Sequence, residues 1–283
     1  MSAATYTSPS PHRPVGGSLT MRYRLSTASA THAGKIRGFN DDSLAHDPSI
    51  GVFVVADGMG GHNAGDVAAE MASRIVLERL SKDASGRAQG ADRVRDAVQE
   101  ANQAICRAAR SDPARAGMGT TLAVALFGER HVTIGHVGDS RVYRLRDGRL
   151  KLLTRDHSVL QEQAATGLLD RESARVSQNR SLVTRALGAG YDATPEFGQF
   201  DVVPDDIFLL CTDGLNDMVD DADIELALAA LGCNLDMTAE VLVELANDNG
   251  GQDNISVLLV RIEGEPPTGS GWRQRMLGWL RGR

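Results

Sequence analysis

The segment Gly51-Val-Phe-Val-Val-Ala-Asp57-Gly58-Met-Gly60-Gly61-His62 constrains this chain more than any other. Val52 to Ala56 are uninterrupted apolar residues, mostly β-branched, which is the character of a strand covered on both faces and unable to bind a ligand itself. Asp57 is therefore expected at the end of that strand. The glycines after it let the backbone turn and approach a ligand without a Cβ in the way. The same design recurs at Ile207-Phe-Leu-Leu-Cys-Thr-Asp213-Gly214 and at Val132-Thr-Ile-Gly-His-Val-Gly138-Asp139-Ser140. Asp253-Asn254 precedes a further apolar run, Ile255 to Val260, and Asp42 closes the segment Arg37-Gly-Phe-Asn40-Asp41-Asp42.

The elements around these runs predict the fold. Arg22 to Thr31 reads as a first strand, and helical spacing of apolar residues predicts helices over Asp66 to Leu80 and Ala91 to Ala109. Thr120 to Phe127, His131 to Val137, Arg141 to Leu145 and Leu150 to Leu153 read as short strands of an antiparallel meander, with turns at Gly128-Glu129 and Asp147-Gly148. Residues 155–181 are more polar and read as an inserted flap beside the site. Strands resume at Glu196 to Val203 and Ile207 to Thr212, helices follow at Asp221 to Leu231 and Thr238 to Asn249, and the last strand is Asn254 to Ile262. Many antiparallel strands with two helix pairs pack most economically as an α+β, four-layer α/β/β/α sandwich, two antiparallel sheets flanked by helix pairs. Residues 21–263 form its single domain. Residues 1–20 form a leader too poor in apolar residues to offset the entropy of ordering.

Charge and cysteine content narrow the function. A formal charge of −7 disfavours a nucleic-acid partner held through its phosphates. Cys106, Cys211 and Cys233 are widely spaced and form no C-x-x-C, which fits a reducing, cytoplasmic setting. Cys211 lacks an arginine six residues on, where Asp217 stands, so it reads as an inert buried thiol. No signal-peptide core or membrane span is present in the sequence.

Aspartates gathered at strand ends repel one another unless protonated or neutralised by a cation. Oxygen-only ligands select hard ions, magnesium or manganese in preference to zinc. A two-ion centre follows, with Asp57 bridging, the water between the ions acting as nucleophile in an in-line displacement. Arg37, five residues before Asp42, supplies a fork-shaped cation for a phosphoryl group, and His62 can supply the leaving group's proton.

Arg37 to Asp42, Val55 to His62, Met118-Gly-Thr-Thr121, Gly138-Asp139-Ser140-Arg141, Arg185-Ala-Leu-Gly188, Cys211-Thr-Asp213-Gly214 and Asp253-Asn254 resemble, in this order, the motifs of bacterial type 2C protein phosphatases, the metal-dependent serine/threonine class. The resemblance spans about residues 25–262. It implies that Asp57, Asp213 and Asp253, with the Gly58 carbonyl, hold the two catalytic ions, that Asp41 and Asp42 support them directly or through water, and that Asp139 matches the position of a third, weaker metal. It implies Arg37 as the phosphate contact and His62 as general acid. Asp41 departs from the family's usual glutamate and, one methylene shorter, is expected to reach the second ion through water. Phosphorylated proteins are the implied substrates and a bacterial serine/threonine kinase the implied opponent, with the phosphatase acting as a monomer.

A catalytically silent phosphoprotein-binding module of the same fold is the alternative, and a metal-dependent phosphodiesterase acting on small molecules a third reading. Residues 264–283 form a basic, tryptophan-containing tail: Trp272, Met276, Trp279 and Leu280 fall at helical spacing beside several arginines, a pattern suited either to a partner or membrane surface or to packing on the domain itself.

Overall fold

Strand β3 (Val52–Met59) shows how the layers arise. Successive side chains of a strand point to opposite faces, so Val52, Val54 and Ala56 enter one buried cluster while Phe53 and Val55 enter another. The computed structural model describes residues 23–60, 64–82, 90–165, 182–188 and 193–264. The leader, His62, residues 166–181 of the flap and residues 265–283 of the tail lie outside the described residues.

β3 lies in a seven-stranded sheet ordered β10 (Glu196–Asp201), β6 (His131–Val137), β5 (Leu122–Phe127), β3, β4 (Gly119–Thr120), β9 (Leu187–Gly188), with β2 (Asp42–Asp47) also paired to β3. The second sheet is five-stranded, in the order β1 (Arg24–His32), β12 (Ile255–Glu263), β11 (Ile207–Cys211), β7 (Arg141–Arg146), β8 (Arg149–Leu152). Every described pairing is antiparallel. Between the sheets Phe53, Val55, Ile134, Phe208, Leu210 and Val260 form one core, in which Phe127 meets Phe53 and Phe208 edge to face at 5.4 and 5.2 Å.

Helices α1 (Gly65–Lys82) and α2 (Gly90–Ser111) cover the outer face of the seven-stranded sheet through a second core that includes Val54, Val76, Val98 and Ile105. After the short α3 (Val159–Ala165) and α4 (Asp213–Asn216), helices α5 (Asp221–Leu231) and α6 (Leu235–Asp248) cover the other sheet through a third core with Tyr143, Leu209, Leu228, Leu242 and Val257. Three cores between four layers make the α/β/β/α sandwich that the element order predicts. Among the described residues no helix is long and apolar enough to cross a membrane.

Three local expectations are corrected. The strands from β5 to β8 are not one meander: β6 belongs to one sheet and β7 to the other, because β7 pairs with β11 and not with β6. The chain changes sheets at Gly138-Asp139-Ser140, while Asp147 and Gly148, both at positive φ, do form the tight β7–β8 turn. Asp57 does not end its strand, since β4 pairs with Gly58 and Met59 and prolongs β3 past it. On α1, where Val67, Met71, Ile75 and Leu80 fall near helical spacing and read as the apolar face, the deepest residues are Ala68, Ala69, Ala72, Val76 and Leu80, whereas Val67, Met71 and Ile75 are only partly buried. Alanines let the helix lie close to β3 and α2, so the larger side chains flank the contact.

Candidate metal centre

Strand pairing sets Asp42, the first residue of β2, directly opposite Asp57 of β3. Thr212, at the end of β11 in the other sheet, donates its hydroxyl hydrogen to Asp42 Oδ2 at 2.9 Å and accepts from the Ser256 N–H at 3.0 Å. One threonine thereby ties the acidic end of one sheet to the other. Asp213 follows it and opens α4, and Gly214 packs so tightly that a Cβ there would overlap the Asn254 carbonyl. This close approach brings Asp213 beside Asp253-Asn254.

The remaining partners complete the frame. The Asp57 N–H donates to Thr121 Oγ1 at 3.0 Å, and that hydroxyl also hydrogen-bonds Ser140 Oγ at 2.7 Å. Thr120 Oγ1 and the Thr121 N–H both donate to the Asp57 carbonyl, at 2.8 and 2.9 Å. The Gly58 N–H donates to the Asp41 carbonyl at 3.1 Å, and a Cβ on Gly58 would overlap the Gly65 carbonyl at the start of α1. The Asp41 N–H in turn donates to Asn254 Oδ1 at 2.7 Å. Arg37 donates from its guanidinium to Asp253 Oδ2 at 2.7 Å while remaining largely exposed.

Electrostatics register the convergence. Burial pushes Asp57 and Asp213 well above the usual carboxylate range, and the charges of Asp42, Asp139 and Asp253 add to the effect on each. Asp42 is pushed up to about 7 by burial, against the lowering effect of its hydrogen bonds from Ser256 and Thr212. Asp139 is pushed up to about 7 by burial and then by the charge of Asp156. Asp41 is raised by burial and by Asp66, and Arg37 is raised by its hydrogen bond to Asp253. Among the described residues, Asp42 Oδ1 and Asp213 Oδ1 are buried and find no hydrogen-bond partner. Mutually repelling acids with buried unpaired oxygens fit hard divalent cations, which satisfy such oxygens and relieve the repulsion.

Arg37, Asp41, Asp42, Asp57, Gly58, Asp139, Asp213 and Asp253 thus stand in one neighbourhood. Asp139 occupies the crossing between the sheets, where Gly138 at φ 103 leaves no space for a Cβ against Thr121. The His157 N–H donates to the Gly138 carbonyl at 2.9 Å, and His157 Nδ1 accepts the Gly138 N–H at 3.2 Å. Next to it Arg141 forks onto Asp156, with Nε 3.0 Å from Oδ1 and the second nitrogen 2.7 Å from Oδ2. Burial also pushes the Cys211 thiol up to about 12, in keeping with an inert role.

Sequence reasoning gave Thr212, Thr121, Asn254 and Asp217 no role in the site. Thr212 and Asn254 each sit next to a singled-out aspartate, but what they touch is set by the packing of two sheets. Asp217 lies four residues beyond Asp213, and its charge raises both Asp213 and Asp139. Two histidines, His136 and His157, also acquire partners. The ligand atoms of His136, His157 and Glu196 lie within 4.8 Å of one another. The rings of His136 and His157 stack at 4.7 Å, His136 Nε2 donates to the Arg155 carbonyl, and His157 Nδ1 is occupied by Gly138. His157 Nε2 lies 3.3 Å from Glu196 Oε2, so hydrogen bonds tie this cluster to the Gly138 crossing, to the Arg155 carbonyl and to β10.

Comparison with known proteins agrees with this geometry. Residues 32–249 match the family described as protein phosphatase 2C. The chain is 39% identical over 240 residues to the serine/threonine phosphatase stp of Listeria welshimeri, covering 81% of this chain and 93% of that one. The chain belongs to the protein phosphatase 2C family. Within it, the solved serine/threonine phosphatase PstP/Ppp of Mycobacterium tuberculosis superposes with a TM-score of 0.75 at 35% identity, over 84% of this chain and 99% of that one. A structure of the PstP catalytic domain in complex with two manganese ions gives a TM-score of 0.74 at 34% identity, over 84% and 98%.

Proposed function

We infer that Asp57, Asp213 and Asp253, with the Gly58 carbonyl, hold two ions of manganese or magnesium, that Asp41 and Asp42 support them, and that Asp139 serves a third. The chain is a metal-dependent protein serine/threonine phosphatase that hydrolyses phosphoserine and phosphothreonine. The observation that carries the assignment is the meeting of buried carboxylates from both sheets, with Asp42 Oδ1 and Asp213 Oδ1 lacking a partner among the described residues. Bound divalent ions supply a water made acidic near neutral pH and draw negative charge from the transferring phosphoryl group.

The chain's own residues do the rest. Asp253 holds the Arg37 guanidinium at the rim, where its remaining N–H donors face arriving phosphate oxygens. Thr212 and Ser256 fix Asp42, and Thr121 fixes the Asp57 backbone, so neither carboxylate must reorganise when charge develops. His62 gives its proton to the leaving serine or threonine oxygen.

The opponent is a bacterial serine/threonine kinase, and the enzyme works in the cytoplasm as a monomer. The buried unpaired carboxylate oxygens favour this reading over a silent phosphoprotein-binding module, which has no need of them. Manganese-dependent phosphate release from a phosphothreonine peptide, set against a cyclic dinucleotide, is the test. Release from the peptide alone is expected; hydrolysis of the dinucleotide alone would make the protein a phosphodiesterase, and no turnover of either would make it silent.

A further inference from the structure

Among the described residues the large apolar side chains left most exposed include Ile36 at 72% and Phe39 at 73%, on either side of Arg37. Single exposed apolar residues are ordinary on a protein surface. These two stand out because they flank Arg37 on a loop whose backbone is pinned. The N–H groups of Lys35 and Ile36 both donate to the Gly251 carbonyl, at 2.7 and 3.3 Å. Asn254 Nδ2 donates to the carbonyls of Phe39 and Ala33, at 2.8 and 3.1 Å. Gly34, at φ 78, abuts the Asp253 carbonyl so closely that a Cβ would overlap it. The loop backbone is therefore held against the Gly251–Asn254 segment that carries Asp253, and with it the exposed side chains of Ile36 and Phe39 are kept beside Arg37.

We propose that Ile36 and Phe39 are specificity-determining residues that cover apolar side chains flanking the phosphorylated residue of a protein substrate. The occupant follows from distance. With the phosphate at Arg37, the neighbouring residues of a peptide lie within about 4–7 Å per one or two steps along its chain. Ile36 and Phe39 stand one and two residues from Arg37 on the same scale. An apolar neighbour on the peptide loses water against them, whereas a polar one must give up hydrogen bonds to water without replacement. The selected substrates are phosphopeptides with apolar residues within two positions of the phosphate.

This rests on the phosphatase reading, and the experiment separates the two. Manganese-loaded wild type, Ile36→Ala/Phe39→Ala and Phe39→Leu are assayed on p-nitrophenyl phosphate, on a phosphothreonine peptide flanked by leucine and valine, and on the same peptide flanked by serine and glutamine. Wild type is expected to prefer the apolar peptide about tenfold in kcat/KM, mainly through KM, the order of discrimination a small apolar contact gives. The double variant should lose that preference and Phe39→Leu should keep most of it, with p-nitrophenyl phosphate turnover within about twofold throughout, which also reports an intact fold. A preference that survives in the double variant, or is absent from wild type, would overturn the proposal while leaving the phosphatase assignment standing. A concentration-dependent dimer that the double variant abolishes, without change in peptide preference, would give the patch to a second copy instead. No turnover of any substrate would remove the phosphatase reading and this inference with it.

Discussion

Asp213 and Thr212 are neighbours in sequence with different duties, and substitution separates them. Asp213→Asn removes charge from a carboxylate whose Oδ1 has no partner among the described residues, so it should bind manganese far more weakly and lose turnover while keeping its fold. Thr212→Val leaves every proposed ligand in place but removes the Thr212 hydrogen bond to Asp42 Oδ2, which should weaken manganese by about 10–100-fold, the usual effect of losing an outer partner. Calorimetric titration of manganese into each variant checks the order, and equal affinities would remove Thr212 from any role in holding Asp42. Arg37→Ala should raise KM for phosphopeptides by about 10-fold or more with a smaller change in kcat, as expected for a charged hydrogen bond to substrate phosphate. A fall in kcat with KM unchanged in steady-state assays would contradict that role. Most acidic ligand candidates were legible because they border an apolar run or a glycine, and Asp41 and Asp42 through the Arg37 to Asp42 segment; Thr212 and Asn254 were not, because a hydroxyl or amide carries no such flag until packing gives it a partner.

Among the elements, strands and helices were largely legible and pairing was not. The runs from β5 to β8 are short, close together and separated by turn residues, which is how consecutive hairpins look from sequence. Asp147-Gly148 is such a hairpin, but Gly138-Asp139-Ser140 is a crossing between sheets, decided by the distant strand β11. β2 escaped notice because Asp42–Asp47 is short, mixed in polarity and incompletely buried. The crossing offers its own test. Gly138→Ala must strain a φ of 103 and push against Thr121, so it should destabilise the fold by about 1–3 kcal/mol and displace Asp139. Gly148→Ala, also at positive φ but with open space around its Cβ position, should cost about 1–2 kcal/mol without touching activity. Urea unfolding with parallel phosphatase assays distinguishes them, and an active Gly138→Ala enzyme of unchanged stability would show that the crossing tolerates a side chain.

For the molecule as a whole, the four-layer packing concentrates buried acids at one place, and stability must reflect it. Asp42 and Asp139 sit at about 7 in the folded protein, and Asp57 and Asp213 are raised as well, whereas an unfolded chain releases such protons near pH 3.9. Between those values the folded, metal-free protein holds more protons than the unfolded one. Stability from these groups is therefore fully present below the unfolded value and is lost as pH rises through the folded value. Divalent ions reverse the balance, because they bind the ionised carboxylates of the folded state and compete with protons there. The metal-stripped protein should accordingly show a higher Tm at about pH 5.5 than at about pH 7.5, and saturating manganese should raise Tm more at the higher pH. Thermal scans at both pH values, with and without manganese, decide it. A metal-free Tm that climbs toward pH 7.5, or a manganese effect larger at pH 5.5, would mean that these carboxylates are already ionised and paired within the protein, and that the strain assigned to the acidic cluster is relieved by something other than a bound cation.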